Sequence, residues 1–502
     1  MDTAAGYLTR ASKASPLFKT FLKSLTRKNA SHFLGLYVLW IIFKYRSTAY
    51  GAKPRYDLKG PRGLPLIGNM IMMITTPRDQ ISQQNERLHE EYGTTFAFSV
   101  PKLGRVIQFI DPDVLEHVLK TNFWAYEKGP IVQESLSDLL GTGIFGADGD
   151  HWKWQRKMAS HIFNVKAFRN YTSSVFVKEA NVLVDYLDKA AREGRVVDIH
   201  QLFYLYTLDS FGEISFGQSF DCLKKPEEEV EFAAAFDRLN TVVFNRLFDG
   251  LWRINEWATG AGKQVVKDKK VINDFALNII SSRRINGYDK PQKDLLQLFM
   301  DMDGDDGRPL SDEMLCCLVL NFIMSNSDKS FVSKLSKEVD EVLQGGLPSY
   351  EACKQMKYSE ACLYEGKSER VLPYMNKILR LDVGNGTKVY KGEFVSWSSW
   401  TMGRSTSIWG PDAKDYNPDR WMNGEKPSPS KFPGFHAGPR TCLGQQFATI
   451  EAVTVMGMLF QKFKFELVDP NTEPSYVPGL TLPMAKGLPI RVFHRTPTAS
   501  AV

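Results

Sequence analysis

Apolar residues recur with helical spacing at the amino-terminal end of the chain. From Ser15-Pro16, a hydroxyl cap followed by proline in a first helical turn, Leu17, Phe18, Phe21, Leu22 and Leu25 fall on one stripe. Lys19, Lys23, Arg27 and Lys28 cover the remaining surface, the pattern of a helix lying in a lipid interface. Residues 30–43 follow as an apolar run led by Phe33, Leu34, Leu36, Val38, Leu39, Trp40, Ile41, Ile42 and Phe43. This run is shorter than the roughly 20 residues a bilayer span needs. It begins too late for a signal peptide and has no small-residue cleavage site behind it. Residues 1–58 are therefore expected to be a basic amphipathic and apolar membrane anchor containing a transmembrane helix. Lys59-Gly-Pro-Arg-Gly-Leu-Pro65 reads as a stiff hinge into a body spanning 59–502. Further on, Leu315, Leu318, Val319, Phe322 and Ile323 predict a buried helix around Asn321. Phe447, Ile450 and Thr454, with Ala448, Ala452, Val455 and Leu459 beside them, predict another helix.

Charge sharpens this picture. The 63 Lys+Arg against 57 Asp+Glu give a formal +6, but residues 1–62 hold 12 basic residues against Asp2 and Asp57. The arm is therefore +10 and the rest of the chain −4, which points to a membrane surface as the arm's partner. No basic helix interleaved with aromatics follows, so nucleic acid is not an expected partner. With 43% hydrophobic and 24% charged residues the chain has globular composition. Its cysteines (Cys222, Cys316, Cys317, Cys353, Cys362, Cys442) form no CxxC pair, which argues against a disulfide scaffold and a structural zinc site. There is no HExxH and no GxSxG. Gly141-Thr-Gly143-Ile-Phe-Gly146 matches GxGxxG, but no convincing strand precedes it, no helix opens at once after it, and no acid stands about 20 residues on. A glycine-rich loop is the better reading.

The chemistry is concentrated in Phe432-Pro-Gly-Phe435-His-Ala-Gly438-Pro-Arg440-Thr-Cys442-Leu-Gly444, just ahead of an apolar helix. A cysteine at a helix amino end has its thiolate favoured by the dipole and by free N–H groups, and a nearby arginine adds positive charge. A lone cysteine is more often a small buried hydrophobe. Here F-x-x-G-x-R-x-C-x-G is met at Phe435, Gly438, Arg440, Cys442 and Gly444, and this resembles the haem-ligand signature of the cytochrome P-450 superfamily. Trp152-Lys-Trp-Gln-Arg156 is similar to that family's W-x-x-x-R, and Tyr416-Asn-Pro418-Asp419-Arg420-Trp421 to its P-E-R-F turn with Asp419 in place of Glu. The resemblance implies haem (heme, iron protoporphyrin) with Cys442 as its axial thiolate, whose electron push favours O–O cleavage. It also implies Gly438 and Gly444 admitting the macrocycle, Phe435 covering the sulfur, Arg440 on one propionate, and Trp152 and Arg156 on the other.

Residues 122–129, 146–157 and 479–484 look most like the long-chain fatty acid and alkane ω-hydroxylases of fungi and plants. Leu480, Leu482 and Met484 offer apolar wall to an alkyl chain, or are core. The implied fold is mainly α with a minor β portion. Two stretches depart from it. Where the family has A-G-x-[DE]-T, this chain reads Ser325-Asn326-Ser327-Asp328-Lys329, retaining only Asp328 as a proton-delivery residue, and several helical turns are missing after Phe331. Proton delivery of this kind is general acid catalysis worth ~10²–10⁴-fold. Glu365 begins an E-x-x-R helix but Ser368 stands at the arginine position, which leaves a Glu–Arg–Arg lock with Arg420 incomplete unless Arg370 or Arg380 substitutes. The expected protein is a haem-dependent monooxygenase of the endoplasmic reticulum, hydroxylating a long-chain fatty acid or related lipid. Its expected electron donor is an NADPH-cytochrome reductase. The alternative is a catalytically defective haem-binding product of an incomplete gene model.

Overall fold

A computed structural model describes residues 27–164, 166–304, 307–323, 333–366, 374–376, 380–383, 385–422, 426–471, 475–477, 479–480 and 483–495. Helix boundaries fall where local chemistry puts them. The Ile199–Phe216 helix starts on Asp198, whose carboxylate accepts from the N–H groups of His200 (3.0 Å) and Gln201 (3.3 Å), and stops at Gly217 with φ +72°. The Gln445–Lys462 helix is buried at every position from Thr449 to Phe460, as expected of a helix enclosed on all sides. Near its start the Phe447 ring meets Phe163, Phe176 and Phe211 at 6.2, 4.9 and 6.0 Å, edge to face. The helices Gly149–Asn164, Lys166–Glu193, Ile199–Phe216 and Gln445–Lys462 thereby share one core.

The β portion is small. A five-stranded sheet runs in the order Thr95–Val100, Gly104–Phe109, Phe394–Trp397, Tyr374–Asn376, Tyr126–Glu127. Gly104–Phe109 and Phe394–Trp397 pair in parallel, with Val106 opposite Phe394, and the other pairs are antiparallel. Val196–Asp198, Pro489–His494 and Phe463–Leu467 form a three-stranded sheet that ties the chain's end to the middle of the sequence. The mainly α expectation with a minor β part is met. Leu315 and Leu318 are buried in the Asp312–Ile323 helix as predicted, and Ser333–Leu343 is the next described helix. Residues 325–330, including Asp328, lie outside the described residues.

Two expectations about the arm are corrected. The apolar run sits in the Arg27–Lys44 helix, where Leu34, Leu36, Leu39, Trp40 and Phe43 are each more than half exposed. Among the described residues no helix is long and apolar enough to cross a membrane, so the transmembrane reading is not supported. The reason is composition: Arg27, Lys28, Asn29, Ser31 and His32 fill its first turns, leaving an apolar stretch of about 16 Å at 1.5 Å per residue. The stripe from Leu17 to Leu25 lies outside the described residues. The Pro/Gly segment is not a free hinge either. The Lys59 carbonyl accepts from Ala97 N–H (2.8 Å) and the Pro61 carbonyl from Asn69 Nδ2 (3.0 Å). Gly60 is at φ +152°, and a Cβ there would stand 1.9 Å from the Ala97 oxygen. This segment is fastened to the sheet.

The glycine loop behaves as read. Gly141–Gly146 follows the Gly129–Leu140 helix, not a strand. Buried Asn321 holds it: its amide donates to the Leu140 carbonyl (3.0 Å) and its oxygen accepts from Phe145 N–H (3.2 Å). A Cβ on Gly143 would stand 2.2 Å from Asn321 Nδ2.

Candidate functional site

Cys442 lies in a tight loop that ends on the Gln445–Lys462 helix. Its N–H donates to the Phe435 carbonyl (2.8 Å), and Thr441 donates through its N–H (3.0 Å) and hydroxyl (2.7 Å) to the Gly438 carbonyl. Phe435 is buried and packs edge to face on Tyr364 at 6.1 Å. Gly438 has φ +63°, and a Cβ there would meet the Leu119 carbonyl oxygen at 1.8 Å. Within the protein itself, the demand for glycine at that position comes from Leu119. Gly444 is different. A Cβ there would meet only the Cys442 sulfur, at 3.9 Å, so the backbone beside the sulfur is open on that side.

Cys442 is half-buried and its thiol is free. Burial pushes the thiols of Cys222, Cys316, Cys353 and Cys362 up, Cys316 to about 12 and Cys362 to about 11, and so holds them protonated. Cys442 instead faces a cation. Half-buried Arg156 has its pKa lowered by desolvation, an effect the Cys442 sulfur opposes and Arg440 reinforces. Arg156 forms no hydrogen bond or ion pair among the described residues.

Arg440 is fixed on three sides. Its Nη2 donates to the Ala147 carbonyl and to Asp148 Oδ1, both at 2.9 Å, and its guanidinium lies 4.4 Å above the Trp152 ring and 5.9 Å from Phe123. Trp152 is buried against Phe123 (5.4 Å) and Trp124 (6.5 Å). Lys128, fully enclosed, donates through Nζ to the Phe145 carbonyl. Its pKa is held far below the usual lysine range by burial first and then by Arg440, with Asp148 opposing. Asp148 therefore joins Arg440 to the backbone at Lys128, while Arg156 lies within electrostatic reach of Arg440 and the sulfur, with Trp152 and Phe123 alongside. An arriving carboxylate would favour the protonated form of Lys128. These residues fit a flat, apolar ring system carrying two carboxylates and a metal that takes sulfur. Sequence reasoning brought Trp152, Arg156, Phe435, Arg440, Cys442 and Gly444 here but assigned no role to Lys128, Asp148 or Phe123. Lys128 and Phe123 fall in the 122–129 stretch and Asp148 in the 146–157 stretch, both read only for their likeness to hydroxylases.

The expected defect around Glu365 does not arise in the form foreseen. Glu365 ends the Lys357–Glu365 helix, and its carboxylate accepts from Arg420 Nε (3.1 Å), Asn417 N–H (2.8 Å) and Trp421 Nε1 (2.6 Å). Arg420 also donates to the Asp412 carbonyl (2.8 Å). Two of three charges of the lock remain paired, with an indole donating as well, so no buried carboxylate is stranded. Ser368, Arg370 and the side chain of Arg380 lie outside the described residues. Leu480 is buried in the main core, Met484 N–H reaches His200 Nε2 (3.3 Å), and Leu482 lies outside the described residues.

A helical body carrying a cysteine loop on an enclosed helix, beside a basic and aromatic cradle, defines the haem-thiolate class. The sequence profile described as Cytochrome P450 matches residues 58–330 and 326–488, and the chain belongs to that family. It is 32% identical to cytochrome P450 monooxygenase cyp1 of Mycosarcoma maydis, over 96% of this chain and 82% of the relative. It is likewise 32% identical to cytochrome P450 704C1 of Pinus taeda (82% and 90% covered) and 31% identical to cytochrome P450 94C1 of Arabidopsis thaliana (80% and 87% covered). Proteins of this family are monooxygenases that bind haem through a cysteine thiolate.

Proposed function

We propose that Cys442 is the axial thiolate, that Arg440, Arg156 and Trp152 hold the haem carboxylates, and that the substrate is a long-chain fatty acid or related lipid. The observation that carries this reading is the convergence of the Cys442 loop with Arg156 and with Arg440 stacked on Trp152. Bound haem supplies activation of O₂ and transfer of one oxygen atom to a C–H bond. The chain's residues do the rest. Cys442 stands just ahead of the amino end of the Gln445–Lys462 helix, with Arg156 as the nearby cation. Trp152 and Phe123 exclude water from the arginine face. Buried Leu480 contributes apolar wall. Asp328 is the proton-delivery residue in this reading. Electrons come from NADPH through a separate reductase, for which exposed Lys153 and Lys157 on the Gly149–Asn164 helix offer basic contacts. The setting is the endoplasmic reticulum surface, with residues 1–58 as anchor and 59–502 as catalytic domain. The exposed apolar face of Arg27–Lys44 supports a membrane contact.

The test is conversion of lauric-type acids by the full chain with reductase and NADPH. Hydroxylated product that depends on both supports the reading; haem uptake with peroxide accumulating and no product refutes it. One observation favours a second reading, a haem-binding product with impaired turnover. The family match is split into two segments that overlap at residues 326–330, where the sequence itself departs. If the gene model is incomplete, transcript sequencing finds a message with a longer central helix and an intact E-x-x-R. A message matching this chain removes that explanation.

A further inference from the structure

Asp148 is mostly buried, and its carboxylate accepts four hydrogen bonds from described residues. Its Oδ1 accepts from Lys128 N–H (3.1 Å) and Arg440 Nη2 (2.9 Å), and its Oδ2 from Gly129 N–H (2.9 Å) and Gln133 Nε2 (3.1 Å). One carboxylate thus caps the Gly129–Leu140 helix, where negative charge is favoured, and anchors one edge of the Arg440 guanidinium. Arg440 has five N–H donors. With Nη2 committed to Ala147 and Asp148, and the plane set by stacking on Trp152 at 4.4 Å, Nε and Nη1 have no described partner. They are the donors left for an incoming anion.

We propose that Asp148 is the positioning residue of the haem site: it fixes which edge of Arg440 faces the carboxylates of the cofactor and locks that edge to the helix beginning at Gly129. The proposal rests on the haem-thiolate reading above. A carboxylate this close also lowers the local positive potential, so its loss makes the surroundings of the metal more positive and favours the reduced state.

Haem-loaded wild type, Asp148→Asn, Arg440→Gln and the double variant are compared for haem release to an excess of a scavenging apoglobin, and for ferric/ferrous potential. Asp148→Asn is expected to speed release by about 10–100-fold, the range for outer-shell partners, and to move the potential positive. The double variant is expected to release no faster than Arg440→Gln alone, because Asp148 acts through the arginine. A residue that only caps a helix would add its effect on release to that of Arg440→Gln, whatever the potential does, since loss of the carboxylate charge moves the potential under either role; that additivity overturns the proposal. Should Asp148→Asn not fold, Asp148→Glu decides. It keeps the charge, so the proposal requires a near-wild-type potential with release slower than in Arg440→Gln, and release as fast as that variant with a shifted potential overturns it. Failure of the parent reading looks different: wild type takes up no haem, or Cys442→Ser holds it equally well.

Discussion

At the residue scale, the account turns on the difference between a cation that has a partner and one that awaits one. Arg440 is held by Asp148 and Ala147, whereas Arg156 has no hydrogen bond or ion pair among the described residues. Replacing Arg156 with Gln should therefore weaken haem affinity by about 10–100-fold with little change in apoprotein stability, as read by haem titration and urea unfolding of the same preparation. An unchanged affinity would remove Arg156 from the site. His89 gives a pH dependence of known sign. It is buried against Phe96 at 4.7 Å, and burial lowers its pKa to about 4. Between pH 6.5 and 4 the unfolded chain binds a proton there that the folded chain refuses. Stability should fall through that window by ~3 kcal/mol and level off below it. His89→Gln should flatten this part of the curve; the same loss between pH 7 and 4 in the variant would show that other groups cause it.

At the element scale, the sequence spoke clearly wherever a role depends on neighbours along the chain and poorly wherever it depends on neighbours in space. The Cys442 helix, the Asn321 helix and the glycine loop were legible from spacing. At Glu365 the family resemblance named Arg420 as a partner, but nothing along the chain pointed to Asn417 and Trp421, donors from a turn more than 50 residues away. Asp148 and Lys128 escaped for the same reason. The hinge was misread because proline and glycine predict a conformation but not what it packs against, and Gly60 is glycine on account of the Ala97 carbonyl. Two variants test the packing. Glu365→Gln removes the more buried of two described charge partners of Arg420, leaving Asp412 at 3.2 Å, and should cost about 1–3 kcal/mol; a loss well under about 1 kcal/mol in urea unfolding would mean that the pair is solvent-screened. Phe447→Ala removes a ring shared by three helices and should cost about 3–5 kcal/mol, which thermal unfolding of the apoprotein measures.

At the scale of the whole molecule, family membership and mechanism part company at one place. The helical core, the five-stranded sheet and the aromatic cluster at Trp152 are all built, and the family match runs through both halves of the chain, its two segments overlapping at residues 326–330. What the chain retains is the cysteine loop with its basic and aromatic surroundings. What it changes, Asn326 and Lys329 in place of the family's glycine and alcohol, bears on oxygen handling. Uncoupling, meaning NADPH consumed per product formed, should therefore fall when the 325–329 stretch is restored to the family pattern, while haem affinity stays within about threefold, under 0.7 kcal/mol. A restored stretch that changes affinity and leaves coupling alone would place the defect in folding.

The most direct measurement is the difference spectrum of the reduced, carbon monoxide-treated protein, taken on the full chain and on Cys442→Ser in parallel. The thiolate-type Soret band is expected in the first and absent from the second, with both folded by circular dichroism. A folded wild-type chain without that band, or the band persisting in Cys442→Ser, would contradict the account.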